Sequence, residues 1–174
     1  ISEIMVSAGS VPRHLALNPD DKYLYVLNEL AGSVTCFTFD SFNGFLGAEI
    51  QTISTLPDYS YVDGEKSAAE ILVHPTERFL YASNRRVGNN PMADSVTAYR
   101  IDPVSRILTL IGYITTGIAF PCTINFDLSG WLLYVLNQKG DSILIFAIDM
   151  ATGEFLPTDE KIKVKVPVSI VFIQ

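Results

Sequence analysis

Hydrophobic and polar positions along this chain alternate in short runs rich in Val, Ile, Tyr, Phe and Thr, broken by turn residues such as Asn18-Pro19-Asp20-Asp21 and Asn43-Gly44. No stretch keeps the three-to-four spacing of an amphipathic helix. The pattern predicts strands at about Arg13 to Leu17, Tyr23 to Asn28, Val34 to Phe39 and Ala48 to Thr55. The plan repeats at Ile71 to Val73, Phe79 to Asn84, Val96 to Ile101 and Leu108 to Thr115, and again at Thr123 to Phe126, Leu132 to Asn137, Ile143 to Ile148 and Phe155 to Val166.

The repetition extends to individual residues. Tyr25-Val26-Leu27-Asn28, Tyr81-Ala82-Ser83-Asn84 and Tyr134-Val135-Leu136-Asn137 align, and each is followed by a strand that starts with Ser and ends in Asp: Ser33 to Asp40, Ser95 to Asp102 and Ser142 to Asp149. Intervals of 56 and 53 residues between the three asparagines exceed the roughly 40–45 of WD40 blades and approach the roughly 50 of kelch blades. The expected fold is all-β, a propeller of four-stranded antiparallel blades in one partial domain, with blades at about 11–56, 67–116 and 120–166. End strands are expected at 3–8 and 167–173. Three blades fall short of a ring of about four to eight, and the chain opens on Ile1. The expectation is therefore a piece of a longer ring, its open edges covered by missing blades from the rest of the chain or from another copy.

Composition narrows the partners. A net charge of −7 disfavours nucleic acid and anionic membranes, and no apolar run is long enough to span a bilayer. Cys36 and Cys122, in different blades and without metal-ligand spacing, read as free thiols of a reducing, cytoplasmic setting. No secretory signal appears in the residues shown.

In an antiparallel hairpin the start of the first strand lies beside the end of the second. Arg13 and His14 are therefore expected near Asn28 and Glu29, Glu70 near Asn84 and Arg85, and Cys122 and Thr123 near Asn137 and Gln138. All share one rim. The longer connections emerge there too: 56–66, with Tyr59 and Tyr61, and 86–93, with Asn89, Asn90 and Pro91. Loops that lengthen over a rigid scaffold mark a functional face.

Val11-Pro12-Arg13-His14-Leu15-Ala16, Tyr25-Val26-Leu27-Asn28-Glu29, Ser67-Ala68-Ala69-Glu70-Ile71 and Phe79-Leu80-Tyr81-Ala82-Ser83-Asn84-Arg85 resemble the seven-bladed lactonase family, over essentially the whole chain and corresponding to its C-terminal half. That family contains propeller-type 6-phosphogluconolactonases and the fungal 3-carboxy-cis,cis-muconate lactonising enzymes. The resemblance implies a site without metal or cofactor, in which Arg13, Glu29 and Arg85 match the family's motifs and a histidine from an earlier blade lies outside this sequence. Phe120-Pro121-Cys122 departs from the Phe-Pro-Arg of many relatives.

The implied substrate is a small anionic lactone or carboxylate, which guanidinium groups suit. The expected catalytic set is Arg13 and Arg85 as anion or oxyanion groups, Glu29 as base or orienting carboxylate, and His14 as a second proton-transfer candidate. The expected substrate contacts are Asn28, Glu70, Asn84, Asn137, Gln138 and Tyr59. The leading function is hydrolysis of 6-phosphogluconolactone. The alternatives are muconate cycloisomerisation and a propeller that binds without turnover. Duller roles compete: an Arg13–Glu29 pair that only fixes the hairpin, Glu70 bridging blades through backbone amides, repeated asparagines as scaffold, and His74 as a structural turn residue.

Overall fold

In the computed structural model, which describes residues 3–57, 66–87 and 94–173, the strands gather into three four-stranded antiparallel sheets. Blade 1 is β1 (Pro12–Leu17), β2 (Tyr23–Asn28), β3 (Ser33–Asp40) and β4 (Phe45–Ser54). Blade 2 is β5 (Lys66–Val73), β6 (Phe79–Arg86), β7 (Ser95–Ile101) and β8 (Leu108–Ile114). Blade 3 is β9 (Pro121–Phe126), β10 (Leu132–Asn137), β11 (Ser142–Ile148) and β12 (Phe155–Lys163), with a 3₁₀ turn at Gln138–Gly140. Each sheet runs in chain order, and the inner strands β1, β5 and β9 adjoin in succession. That is the blade sequence of a propeller.

The strand period of two explains how the blades stack. On β6, Leu80 and Ala82 enter a core shared with blade 1, beside Tyr25, Leu27 and Cys36. Phe79 and Tyr81, on the other face, enter a core shared with blade 3, beside Ile124, Phe126, Leu133 and Val135. A middle blade thus buries both faces, and a fully buried Leu or Phe such as Leu80 or Phe79 contributes about 1.5–3 kcal/mol relative to exposure. The second interface is close enough to need a glycine. At Gly153 (φ 82°) a Cβ would lie 2.4 Å from the Phe79 ring, while its carbonyl accepts the Tyr81 hydroxyl at 2.9 Å.

Each inner strand carries a bulge near its start. In β1, Pro12 faces Asn28 but His14 faces Leu27, leaving Arg13 as the extra residue. In β9, Pro121 faces Asn137 but Thr123 faces Leu136, leaving Cys122 in the same place. In β5 the irregularity falls between Ala68 and Ile71. A bulge re-aims the side chain it carries, so Arg13, the Ala69-Glu70 pair and Cys122 are structural equivalents.

The end segments differ from the strands expected there. Residues 3–10 and 164–173 belong to no sheet, because a strand needs a ladder partner and none of the described residues supplies one. Even so, Val166 (φ 47°) before Pro167 repeats the left-handed entries Val11 (φ 53°) before Pro12 and Phe120 (φ 54°) before Pro121. The following carbonyls, Val168 and Ile170, accept bonds from the Thr123 and Asn125 side chains of β9. The segment lies along β9 as an inner strand would.

Candidate active site

Glu29, just past β2, is fixed first by its backbone. Its amide donates to the Val11 carbonyl at 2.8 Å, and its own carbonyl accepts the Ala68 amide of blade 2 at 2.9 Å. Stitched in this way to the entry of β1 and to β5, its carboxylate sits between two guanidinium groups. Arg85 Nη2 donates to Oε1 at 2.7 Å and Arg13 Nη1 to Oε2 at 3.4 Å. The Ser67 hydroxyl donates to the same Oε1 at 2.6 Å and accepts from Arg85 Nη2 at 2.7 Å. Arg13 is further held by its Nε, which donates to the Ala69 carbonyl in the β5 bulge at 3.0 Å.

The side chains of Arg13, Glu29 and Arg85 are 32, 22 and 13% exposed, so the cluster is partly desolvated yet open to solvent. Partial burial on its own would raise the Glu29 carboxyl; the Ser67 hydroxyl and the charges of Arg13 and Arg85 outweigh it and hold the group below the usual glutamate range. Glu29 is therefore an anion at neutral pH, and a weak base. Two cations over one carboxylate leave one positive charge for a ligand.

A second pair stands one residue along both inner strands. His14 Nδ1 lies 2.9 Å from Glu70 Oε1, which also accepts the Ile71 amide at 3.3 Å. With Nδ1–H donating to the carboxylate, an assignment from the network, Nε2 carries the free lone pair. Glu70 thus bridges blades through an imidazole rather than through backbone amides of the next blade. The half-exposed His14 is oriented as a proton acceptor.

The expected substrate contacts separate. Asn28, Asn84 and Asn137 are 1, 0 and 0% exposed, and the amides of Asn84 and Asn137 are spent on the scaffold, so the burial of all three corrects the expectation that they touch substrate. Asn84 takes both the hydroxyl and the carbonyl of Thr55, at 2.6 and 2.7 Å, and Asn137 bonds the Gly117 carbonyl and the Ala119 amide. Each ties down the connection leading into its own blade. Asn28 donates to the Ser33 and Thr35 hydroxyls. Gln138 is paired with Cys122, whose thiol donates to its Oε1 at 2.7 Å. Tyr59, Tyr61, Asn89, Asn90 and Pro91 lie outside the described residues.

Three contributors have no place in the sequence-based set: the Ser67 hydroxyl, the Ala69 carbonyl and Phe120, whose ring centroid lies 5.3 Å from Arg85 Cζ. Ser67 faces Arg85 directly across the β5–β6 ladder. Starting β5 at Lys66 rather than Ile71 would have revealed it. The small and charged run Lys66 to Glu70 gives little strand signal.

Among the described residues no cluster of His, Cys, Asp or Glu could hold a metal ion, and Cys36 and Cys122 are both free thiols. The family description "Lactonase, 7-bladed beta-propeller" matches residues 1–172. The chain belongs to this lactonase family. Its similarity extends to a 6-phosphogluconolactonase of Formosa agariphila, 34% identical over 151 residues that cover 87% of this chain and 40% of the relative. A 6-phosphogluconolactonase of Yersinia pestis is 33% identical over 154 residues, covering 88 and 43%. Among solved structures, the periplasmic gluconolactonase of Pseudomonas aeruginosa superposes with a TM-score of 0.86 at 27% identity, over 98% of this chain and 45% of that one. The chain thus spans less than half the length of the lactonase relatives it matches.

Proposed function

We propose that the protein hydrolyses an anionic sugar lactone, 6-phosphogluconolactone foremost, at the rim where blades 1 and 2 meet. The observation that carries this reading is the convergence of Arg13, Arg85 and Glu29 in one hydrogen-bonded cluster beside the His14–Glu70 pair. The relatives' names supply the substrate, and the geometry supplies a division of labour.

His14 Nε2 takes a proton from water as the resulting hydroxide adds to the lactone carbonyl carbon. The carbonyl oxygen becomes an oxyanion, which the Arg13 guanidinium, the looser of the two in its grip on Glu29, is free to meet. Collapse of the tetrahedral intermediate breaks the ring ester bond, and the ring oxygen leaves as a hydroxyl carrying the proton returned from the imidazolium. Glu70 holds the imidazole tautomer and steadies its charge. Glu29, with both oxygens occupied, aligns the guanidinium groups rather than abstracting a proton.

The test is lactone hydrolysis by the full-length protein, followed as acid release, for the parent and for Arg13→Ala and His14→Gln. Each substitution is expected to lower kcat by about 10²-fold or more with the melting temperature held within a few degrees. Binding of the lactone without turnover by the parent protein would overturn the hydrolase reading.

A further inference from the structure

Blade 3 breaks the charge pattern of its neighbours. At the bulge where blade 1 carries Arg13, blade 3 carries Cys122, and the place after the blade asparagine, Glu29 in blade 1 and Arg85 in blade 2, holds Gln138. Thiol and amide satisfy each other, so neither position offers a charge. The next residue does. Lys139, exposed in the 3₁₀ turn, places its Nζ 4.0 Å from the centroid of the Phe120 ring, the ring that also lies against Arg85. The Lys139 amide donates to Ala119 and the Gln138 amide to Phe120, which fixes the turn against the connection that carries the ring.

Two cations drawn to one aromatic ring repel each other, and the protein offers them unequal compensation. Arg85 has Glu29; among the described residues Lys139 forms no ion pair. Arg85 Nε is also shut from solvent and has no hydrogen-bond partner, so its bonding is concentrated on the edge shared with Glu29 and Ser67. Beside the Phe120 ring two cations, Arg85 and Lys139, stand with one carboxylate, Glu29, paired to Arg85, in a chain whose overall charge is −7. A local positive excess on an acidic protein, built on a shared ring, suits an anionic group from outside.

We propose that Lys139 is a specificity-determining residue that, with Arg85 across Phe120, binds the phosphate of the lactone substrate while Arg13 and His14 address the carbonyl. The inference rests on the hydrolase reading for its substrate, and on the ring geometry for its residue. Lys139 supplies from the turn of blade 3 the cation that the Cys122 bulge does not.

The experiment compares Lys139→Met, which keeps the apolar stem, and Lys139→Arg with the parent full-length protein, on 6-phosphogluconolactone and on unphosphorylated gluconolactone. For Lys139→Met, the ratio of kcat/KM for the phosphorylated over the plain lactone is expected to fall roughly tenfold, the scale of one charge-assisted hydrogen bond. The loss should lie in KM rather than kcat, with Lys139→Arg restoring most of it. An unchanged ratio, or an equal loss on both lactones, would overturn the proposal. If the parent hydrolyses neither lactone, the hydrolase reading fails on its own. Binding of inorganic phosphate, followed by calorimetry, then decides the clamp: weaker binding by Lys139→Met upholds it and equal binding overturns it.

Discussion

Blades 1 and 2 are joined by charged clusters at both ends of their shared interface, and the two differ in their balance of charge. At the mouth, one carboxylate, Glu29, lies between two guanidinium groups, Arg13 and Arg85. At the far rim, one guanidinium, Arg106, lies between two carboxylates, Asp20 at 3.8 Å and Glu77 at 3.3 Å, with its Cζ 4.8 Å from the centroid of the Tyr23 ring, and Lys22 Nζ, 3.4 Å from Asp20, is a second cation. The Asn18 amide adds a further link to Glu77. Both clusters fasten one blade to the next. The far rim does so with its charges in balance, Arg106 and Lys22 against Asp20 and Glu77, whereas around Glu29 the guanidinium groups outnumber the carboxylate. Fastening needs only opposite charges, so a surplus against the sign of the protein points to a ligand.

The sharpest way to break this comparison is to remove one arginine from each end. Arg85→Ala takes away the mouth cation that grips Glu29 and Ser67, and kcat/KM for the phosphorylated lactone is expected to fall by about 10²-fold, the scale of charge-assisted hydrogen bonds lost to the phosphate. Arg106→Ala leaves Glu77 without its counter-ion, Asp20 with Lys22 alone, and Tyr23 without its cation. The expectation is about 2 kcal/mol of lost stability, a melting temperature several degrees lower, and kcat/KM within about threefold of the parent. Should Arg106→Ala silence catalysis at an unchanged melting temperature, the division between a working mouth and a fastening rim would be wrong.

A milder cut goes through the carboxylates. Glu29→Gln keeps the shape but loses the charge that aligns both guanidinium groups, and a fall in kcat of about tenfold is expected; Glu77→Gln should leave kcat near that of the parent. The acid behaviour of Glu29 adds a second readout. Because the folded state holds Glu29 below its ordinary range, the unfolded chain takes up its proton first. The stability it contributes is present above the unfolded value, near pH 4.5, and is lost as pH falls through the folded one. Glu29→Gln should flatten that part of the acid-unfolding profile, measured by circular dichroism between pH 5 and 3. A variant profile parallel to the parent's would show that the carboxylate is not held by its neighbours.

How far the sequence revealed these two ends depended on whether a residue repeats. The blades were legible because apolar alternation and the Tyr-x-x-Asn pattern recur three times, and recurrence reflects a shared packing problem. Asn84 and Asn137 solve the same one, tying the incoming connection, and their burial follows from that duty. Arg13, Glu29 and Arg85 were legible through motifs and hairpin geometry together. Ser67 escaped because a bulge lets a strand continue through Ser67-Ala68-Ala69-Glu70, where side-chain propensity is weak, and bulges come from backbone register rather than composition. The far-rim cluster escaped for a different reason. Asp20, Glu77 and Arg106 come from three separate turns, and nothing local says that those turns meet.

The smallest expected effect concerns a far-rim residue on the other interface, between blades 2 and 3, and it tests whether far-rim contacts are purely structural. His74 is buried, with Nδ1 2.8 Å from the Thr76 hydroxyl and Nε2 2.9 Å from the Gly130 carbonyl. It packs edge-on against Phe79 and Phe126. Burial disfavours the imidazolium and outweighs the Gly130 carbonyl, which would favour it, so the group titrates below its ordinary range. As pH falls from about 6.5, the unfolded chain binds a proton here that the folded chain resists. Protonation therefore favours unfolding, and stability declines with falling pH until the folded state protonates as well. His74→Gln, which keeps a donor and an acceptor, should be slightly less stable at pH 8 and should lose the slope in melting temperature between pH 6.5 and 5.5. Lactone turnover at pH 7.5 should match the parent, because this ring is bound into the joint of two blades at the end remote from Arg13 and Arg85. A variant that kept the slope would assign it to another group. One that lost turnover without losing stability would mean that the far rim reaches the chemistry, and the contrast between the two ends would have to be redrawn.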